Sequence, residues 1–326
     1  MAADGGTKAV VAALLANTGI ALTKFVAFFL TGFSSMLAEA IHSVADAGNQ
    51  GLLLLGSKKA KKGATPNHPF GFGRERYIYS FIVAIVLFSV GGLFALYEAY
   101  HKFHEIQAGH SEPAEGWKQF VAPAVLLIAI VLEGFSFRTA IIETNKIRGK
   151  ASFATFVRRA KAPELPVILL EDLAALTGLV FALLGVTLSL LTGNQYFDVA
   201  GTALIGLLLV AVAIVLALET KSLLLGESAS LEAQERIAKA LGGTDGVESI
   251  IHMKTLHLGP EELLVAAKIA VPPGASAADV AESIDAAERN VRAAEATAQV
   301  IYLEPDLRRA DYQPAERPEP PAPAGH

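Results

Sequence analysis

The sequence predicts an α-helical membrane protein: six transmembrane helices followed by a small cytoplasmic α+β domain of ferredoxin-like αββαβ order. Three observations predict it. The 326 residues are 52% hydrophobic and only 18% charged, with a mean hydropathy of +0.44, high for a water-soluble chain. Six apolar segments reach the roughly 20 residues that a helix needs to cross a bilayer core. Beyond Leu225 the apolar runs give way to short amphipathic segments.

The six spans read as residues 8–31, 34–56, 77–100, 119–143, 164–192 and 197–221. The first lacks a basic stretch before it and a small-residue cleavage site after it, so it reads as a retained span. The loops set the orientation. Lys58, Lys59, Lys61, Lys62, Arg74 and Arg76 lie between spans two and three; Lys146, Arg148, Lys150, Arg158, Arg159 and Lys161 lie between four and five. The loops after spans one and five carry no Lys or Arg, and the loop after span three has only Lys102 and Lys118. Lysine-rich loops stay on the cytoplasmic side, which puts both termini there. A bacterial plasma membrane is the expected location.

In the last third, Ser230 caps a helix over 230–242 that a glycine pair ends. "VESIIHMKTLHL", "GPEE" and "LLVAAKIAV" read as strand, turn, strand. Leu263, Val265, Ala267, Ile269 and Val271 alternate, which predicts one buried face. A second helix over 275–296 carries Val280, Ile284, Ala287 and Val291 on one side, and "AQVIYLE" closes as a third strand. The domains are therefore 1–225, 226–310 and a proline-rich, disordered tail at 311–326.

Composition also excludes. With no cysteine there is neither a disulfide nor a thiolate metal site. Nothing suggests a nucleic-acid surface, and the formal charge is −5. No His-Glu-x-x-His motif is present, so an intramembrane metalloprotease is excluded, and no enzyme or prosthetic group is expected. "GFGRER" lacks the preceding strand of a nucleotide loop and reads as a membrane-edge charge cluster.

The second span is the informative one. In "EAIHSVADAGNQ", Glu39, His42, Asp46 and Asn49 are spaced 3, 4 and 3, which keeps all four on one helix face. Ionisable residues inside a membrane are expensive and mark a pathway or a partner. Polar packing between helices is the bland alternative. Imidazole and carboxylate without thiolate suit Zn²⁺, and also Mn²⁺, Fe²⁺ or Co²⁺. A partner for this half-site is Glu171–Asp172 in the fifth span, neighbours about 100° apart around the helix. Asp172 is the stronger donor; Glu171 is a ligand, a supporting group or a proton carrier, unless it serves as a cap or ion pair.

These residues carry a resemblance. "AEAIHSVADAGNQGLLLLG", "HPFGFGRERY", "LLEDLAALTG", "FDVAGTALIGLLL" and "LLGESAS", in that order, resemble the cation diffusion facilitator family of zinc transporters over about residues 8–305. The branch with a mitochondrial zinc exporter is the most similar. The resemblance implies a six-span homodimer with a cytoplasmic αββαβ domain that exchanges a divalent metal, zinc first, for protons. It assigns the transport site to His42, Asp46 and Asp172. The family's usual histidine falls on Ile168, which cannot ligate, so Glu171 or water is left as fourth donor. His68 matches a second family site whose other positions hold Thr65 and Phe72. In the soluble domain the metal positions fall on Ile251, Ala267 and Tyr302, with His252 and His257 as weak substitutes. A non-transporting metal-binding regulator, or a carrier of another substrate, is the rival reading.

Four further groups complete the expectations. Lys24 snorkels to an interface. Glu133 either contacts the polar interior or pairs with Arg138. Asp198 caps the sixth span. His101, His104 and His110 lie on a solvated outer loop near Glu105 and Glu112.

Overall fold

The computed structural model describes residues 2–109 and 116–309, with side chains from residue 17 onward. His110, Glu112 and the proline-rich tail lie outside the described residues. The chain divides into two compact units, a helical one running to Glu227 and a second beginning at Ser228.

The helical unit begins with α1 (Ala2–Thr31) and α2 (Ser34–Ala60), separated by Gly32 at φ 70, the left-handed position that ends a helix cheaply only in glycine. Next come α3 (Glu75–Val86), a π-helical segment (Leu87–Leu93) and α4 (Phe94–Gln107), which form one continuous rod. A short 3₁₀ turn leads into α5 (Val121–Ile147). The short α6 (Phe153–Arg159) is capped by Ser152, whose Oγ accepts the Thr155 N–H at 3.1 Å. The unit ends with α7 (Glu164–Thr192) and α8 (Tyr196–Leu225).

Among the described residues four rods are long and apolar enough to cross a membrane: Glu75–Gln107, Gly116–Ile147, Glu164–Thr192 and Tyr196–Leu225. The described apolar part of α1, Asn17–Thr31, is shorter. In α2 the buried polar residues Glu39, His42 and Asn49 and the terminal Lys58 and Lys59 lower the hydropathy. The surface agrees with lipid rather than water. Phe29, Ile128, Phe135 and Leu207 are exposed, whereas Met36, Leu87, Leu179, Ile205 and Leu209 are buried between helices. Helices α7 and α8 approach closely through glycine. A Cβ at Gly185 would lie 2.8 Å from the Phe197 carbonyl, and one at Gly201 would lie 2.9 Å from that of Phe181.

The second unit runs α9 (Leu231–Gly242), β1 (Ser249–Gly259), β2 (Glu262–Ala270), α10 (Ala277–Ala294) and β3 (Ala298–Asp306). The sheet order is β1-β2-β3. Strands β2 and β3 are parallel, with Val265 opposite Ile301 and Ala267 opposite Leu303, so a crossover is required and α10 supplies it. Leu263, Val265, Ala267, Ile269 and Val271 are all buried, joined by Ile237, Leu241 and Val291 from the two helices. Helix α10 opens on a capping box. Ser276 Oγ accepts the Asp279 N–H at 3.2 Å, and the Asp279 carboxylate accepts the Ser276 N–H at 3.0 Å. The Ser276 hydroxyl, which donates to the same carboxylate at 2.7 Å, and then the Ser276 N–H hold the Asp279 carboxyl below its usual range.

Candidate metal centre

The stripe on α2 forms because a helix returns to the same side every three to four residues. Glu39, His42 and Asn49 are fully buried, and Asp46 is 13% exposed. His42 Nδ1 stands 3.5 Å from Asp46 Oδ1, close enough for an ion pair but too long for a good hydrogen bond. Among the described residues neither nitrogen of His42 has a hydrogen-bond partner. The same holds for Asp46 Oδ1, Asn49 Oδ1 and Gln50 Oε1. Buried polar atoms are nearly always paired, so a row of unpaired ones on one helix face is unusual.

The two acids of α7 part company, as neighbours on a helix must. Glu171 turns to α2, where its Oε1 accepts the Asn49 side-chain N–H at 2.7 Å. Asp172 turns to α5, where its Oδ2 accepts the Ser136 hydroxyl at 2.9 Å. Asp46 lies within electrostatic reach of both. Ile168 packs among apolar side chains with Ala140, Val157 and Leu169. Among the described residues no group of three or more His, Asp or Glu side chains converges on one point closely enough to hold a metal ion. Each carboxylate of α7 is engaged by its own hydrogen bond, Glu171 with Asn49 and Asp172 with Ser136. A cavity of about 410 Å³ lies elsewhere, between Phe137, Ile141, Leu169, Leu173 and Val215, with mostly apolar walls.

Three expectations change. Lys24 does not snorkel. It is 1% exposed and donates to Glu39 Oε2 at 2.9 Å and Ser43 Oγ at 2.8 Å. Thr31 ends α1 seven residues on, about 10 Å along the axis, further than the lysine stem reaches, so an acid on the facing helix neutralises it instead. The other oxygen, Glu39 Oε1, faces the bare backbone of α7, where a Cβ at Gly178 would come within 2.8 Å. Asp198, besides standing in the first turn of α8, caps α2. Its carboxylate accepts the N–H and hydroxyl of Ser34 at 2.8 and 2.9 Å and the hydroxyl of Ser35 at 2.5 Å. The capping residue of α2 itself, Phe33, has no side chain that can do this. His101 and His104 stand on α4, which runs past them to Gln107, and both are exposed.

His68 stands apart from the stripe. It is exposed in the loop before α3, its backbone paired with Thr65 and its ring 4.6 Å from that of Phe72. Glu133 is buried on α5 and lies within electrostatic reach of His42, Asp46, Asp172 and Lys24. Sequence reading did not foresee Ser136 as the partner of Asp172, Ser43 as a partner of Lys24, or the π-helical segment. The paired Gly91–Gly92 was a signal for the last. The segment passes directly beside the stripe, since a Cβ at Gly91 would lie 3.9 Å from His42 Nδ1.

A model described as the cation efflux transmembrane domain matches residues 10–225. The chain belongs to the cation efflux, or cation diffusion facilitator, family. A human relative of this cation efflux protein, the proton-coupled zinc antiporter SLC30A9, mitochondrial, is 34% identical over 263 residues, 78% of this chain and 44% of its own. Metal tolerance protein C4 of Arabidopsis thaliana is 27% identical over 270 residues, 80% of this chain and 56% of its own. The chain thus spans about half the length of these curated relatives. Among solved structures, a C-terminal domain of MamM matches at 23% identity over 24% of this chain and 93% of its own; its TM-score is 0.23, and that likeness carries no argument. The family and the apolar rods make the chain an integral membrane protein.

Proposed function

We propose that this protein is a secondary transporter that exports divalent metal cations, zinc first, from the cytoplasm in exchange for protons. The observation that carries the reading is the buried imidazole of His42 and the Asp46 Oδ1 beside it, both without hydrogen bonds among the described residues, with Asp46 within electrostatic reach of Asp172. The name of the human relative supports zinc and proton coupling for that protein, and the donor chemistry here suits the same substrate. We read all six long helices as spans, with the lysine-rich loops on the cytoplasmic side, and the working unit as a homodimer.

The mechanism follows from competition for the same atoms. A metal binds only unprotonated imidazole and carboxylate, so loading the site releases protons and proton entry from the far side unloads it. Alternating access makes that competition directional: the site faces the cytoplasm when it loads and the far side when it unloads. Glu171, held by Asn49, is placed to take up a proton as the site loads. His68 remains outside this scheme.

The test is zinc flux into proteoliposomes under an imposed pH gradient. Wild-type flux follows the gradient and reverses with it. Asp46→Ala and Asp172→Ala each abolish it. Undiminished flux in both variants overturns the reading.

A further inference from the structure

With isoleucine at position 168, His42, Asp46 and Asp172 make three protein donors, and Glu171, the other candidate, is already hydrogen-bonded to Asn49. Helix α5 brings a fourth acid to the same place. Glu133 is 8% exposed and makes no hydrogen bond or ion pair with the described residues. It lies on the buried stripe of α5 with Leu126, Ala129 and Ala140, seven and four residues before it and seven after. The structural alternative, a pair with Arg138, fails on geometry. Five residues place the two about 140° apart around the helix, and Arg138 is exposed.

The level of Glu133 follows from the contacts around it. Helices α2 and α7 run antiparallel, since Asn49 meets Glu171 while Glu39 meets Gly178. His42 and Asp46 lie between those two contacts, level with the stretch from Leu173 to Leu176. Helices α5 and α7 are antiparallel too, since Ser136 meets Asp172 while Ala140 clusters with Leu169. Three residues before Ser136, about 4.5 Å along the axis, Glu133 reaches that same level. There α7 offers only Leu173, Ala174, Ala175 and Leu176, none of which can ligate. The electrostatic neighbours of Glu133 agree: Asp46, Lys24, Asp172 and His42, drawn from three other helices. The acids alone would prove nothing, but the imidazole of His42, 1% exposed and unpartnered at both nitrogens, faces the same space.

We propose that Glu133 is the fourth protein donor to the transported cation, completing His42, Asp46 and Asp172 from α5 in place of the position that Ile168 fills. This rests on the transport-site reading above and deepens it. The donor that α7 lacks on one side of Asp172 is supplied on the other side by a different helix. The set becomes three carboxylates and one imidazole, richer in oxygen than a set with two histidines. Oxygen-rich sets accept Mn²⁺ and Co²⁺ more readily beside Zn²⁺.

The experiment uses the full chain in lipid nanodiscs with Co²⁺ as probe, reading affinity and the visible d–d absorption. Glu133→Gln is expected to weaken Co²⁺ binding about tenfold to a hundredfold, at least what loss of a ligand's supporting partner causes, and to shift the absorption band. Glu133→His is expected to restore tight binding with a band displaced by the extra nitrogen, which a merely structural role would not produce. Asp46→Asn serves as the reference and is expected to lose binding. Wild-type affinity and band in Glu133→Gln, with binding lost in Asp46→Asn, overturns the proposal and leaves the three-donor site standing. Wild-type binding in both variants overturns the site as well.

Discussion

Helix α2 carries two kinds of buried polar group, and they differ in how completely they are satisfied. At its N-terminus the Asp198 carboxylate takes the backbone and hydroxyl donors of Ser34 and Ser35, and Thr202 closes the cluster at 2.9 Å from Ser34 Oγ. One turn on, Glu39 is half satisfied, with Lys24 on one oxygen and nothing on the other. Further along, His42 has no partner at either nitrogen and Asp46 none at one oxygen. A buried charge with every lone pair used is structure, because removing one member strands the rest. A buried donor set left unused destabilises the fold on its own and persists only where a ligand repays it. The gradient along one helix separates the anchor from the proposed site without reference to any relative.

The largest effect falls on the Lys24–Glu39 pair. Lys24→Met leaves a carboxylate buried without its counter-charge, and the expected loss of stability is about 3–5 kcal/mol. Adding Glu39→Gln to that variant recovers most of the loss, because both charges are then gone. Thermal unfolding of the purified protein in detergent reads both variants. If the single variant unfolds with the wild type, Glu39 is already neutral and belongs with the site rather than with the anchor.

A smaller effect, with opposite signs, tests the two ends of the helix directly. Asp198→Ala strands the Ser34 and Ser35 donors and is expected to lower stability by about 1.5–3 kcal/mol, the worth of a hydrogen bond to a charged group. His42→Leu removes two unpaired nitrogens and is expected to leave stability unchanged or raised, while zinc flux is lost. Equal destabilisation by both variants would erase the distinction between anchor and site.

How much of this was legible in the sequence depends on separation along the chain. The α2 stripe was readable because the helix repeat is local, and so were the long helices and the alternating buried face of β2. The partners were not. Lys24 finds Glu39 15 residues away across a tight turn, Asp172 finds Ser136 at a separation of 36, and Ser34 finds Asp198 at 164. Nothing periodic links such residues; only packing does. Glu133 shows the same limit. Sequence could see a charge in an apolar span but could not choose between Arg138 and the interior until the stripe through Ala129 and Ala140 fixed its direction.

The smallest effect lies in the second unit, where every polar group in question is satisfied and no site is expected. Ser276→Ala removes the hydroxyl half of the α10 capping box, leaving the backbone N–H of residue 276 on the Asp279 carboxylate, and is expected to destabilise that helix start by about 1 kcal/mol. The Asp279 carboxyl, held low in the folded chain first by the Ser276 hydroxyl and then by its backbone N–H, loses the first of these and moves part of the way back toward its ordinary range. The sign follows from linkage. A depressed folded-state pKa adds stability above the unfolded pKa and loses it as pH falls through the folded value. The wild-type helix start therefore weakens below the usual carboxylate range, while the variant, which keeps only the backbone donor, has less to lose there. Hydrogen exchange of the first α10 turn, followed from neutral to acid pH in the full chain, should show wild type and variant converging as the pH drops. Zinc flux should not change, because this cap belongs to the anchor kind of polar group and lies in a unit without the unpaired stripe. A loss of flux in Ser276→Ala would mean that the second unit acts on the proposed site, and satisfied polar groups could then no longer be set aside as structure alone.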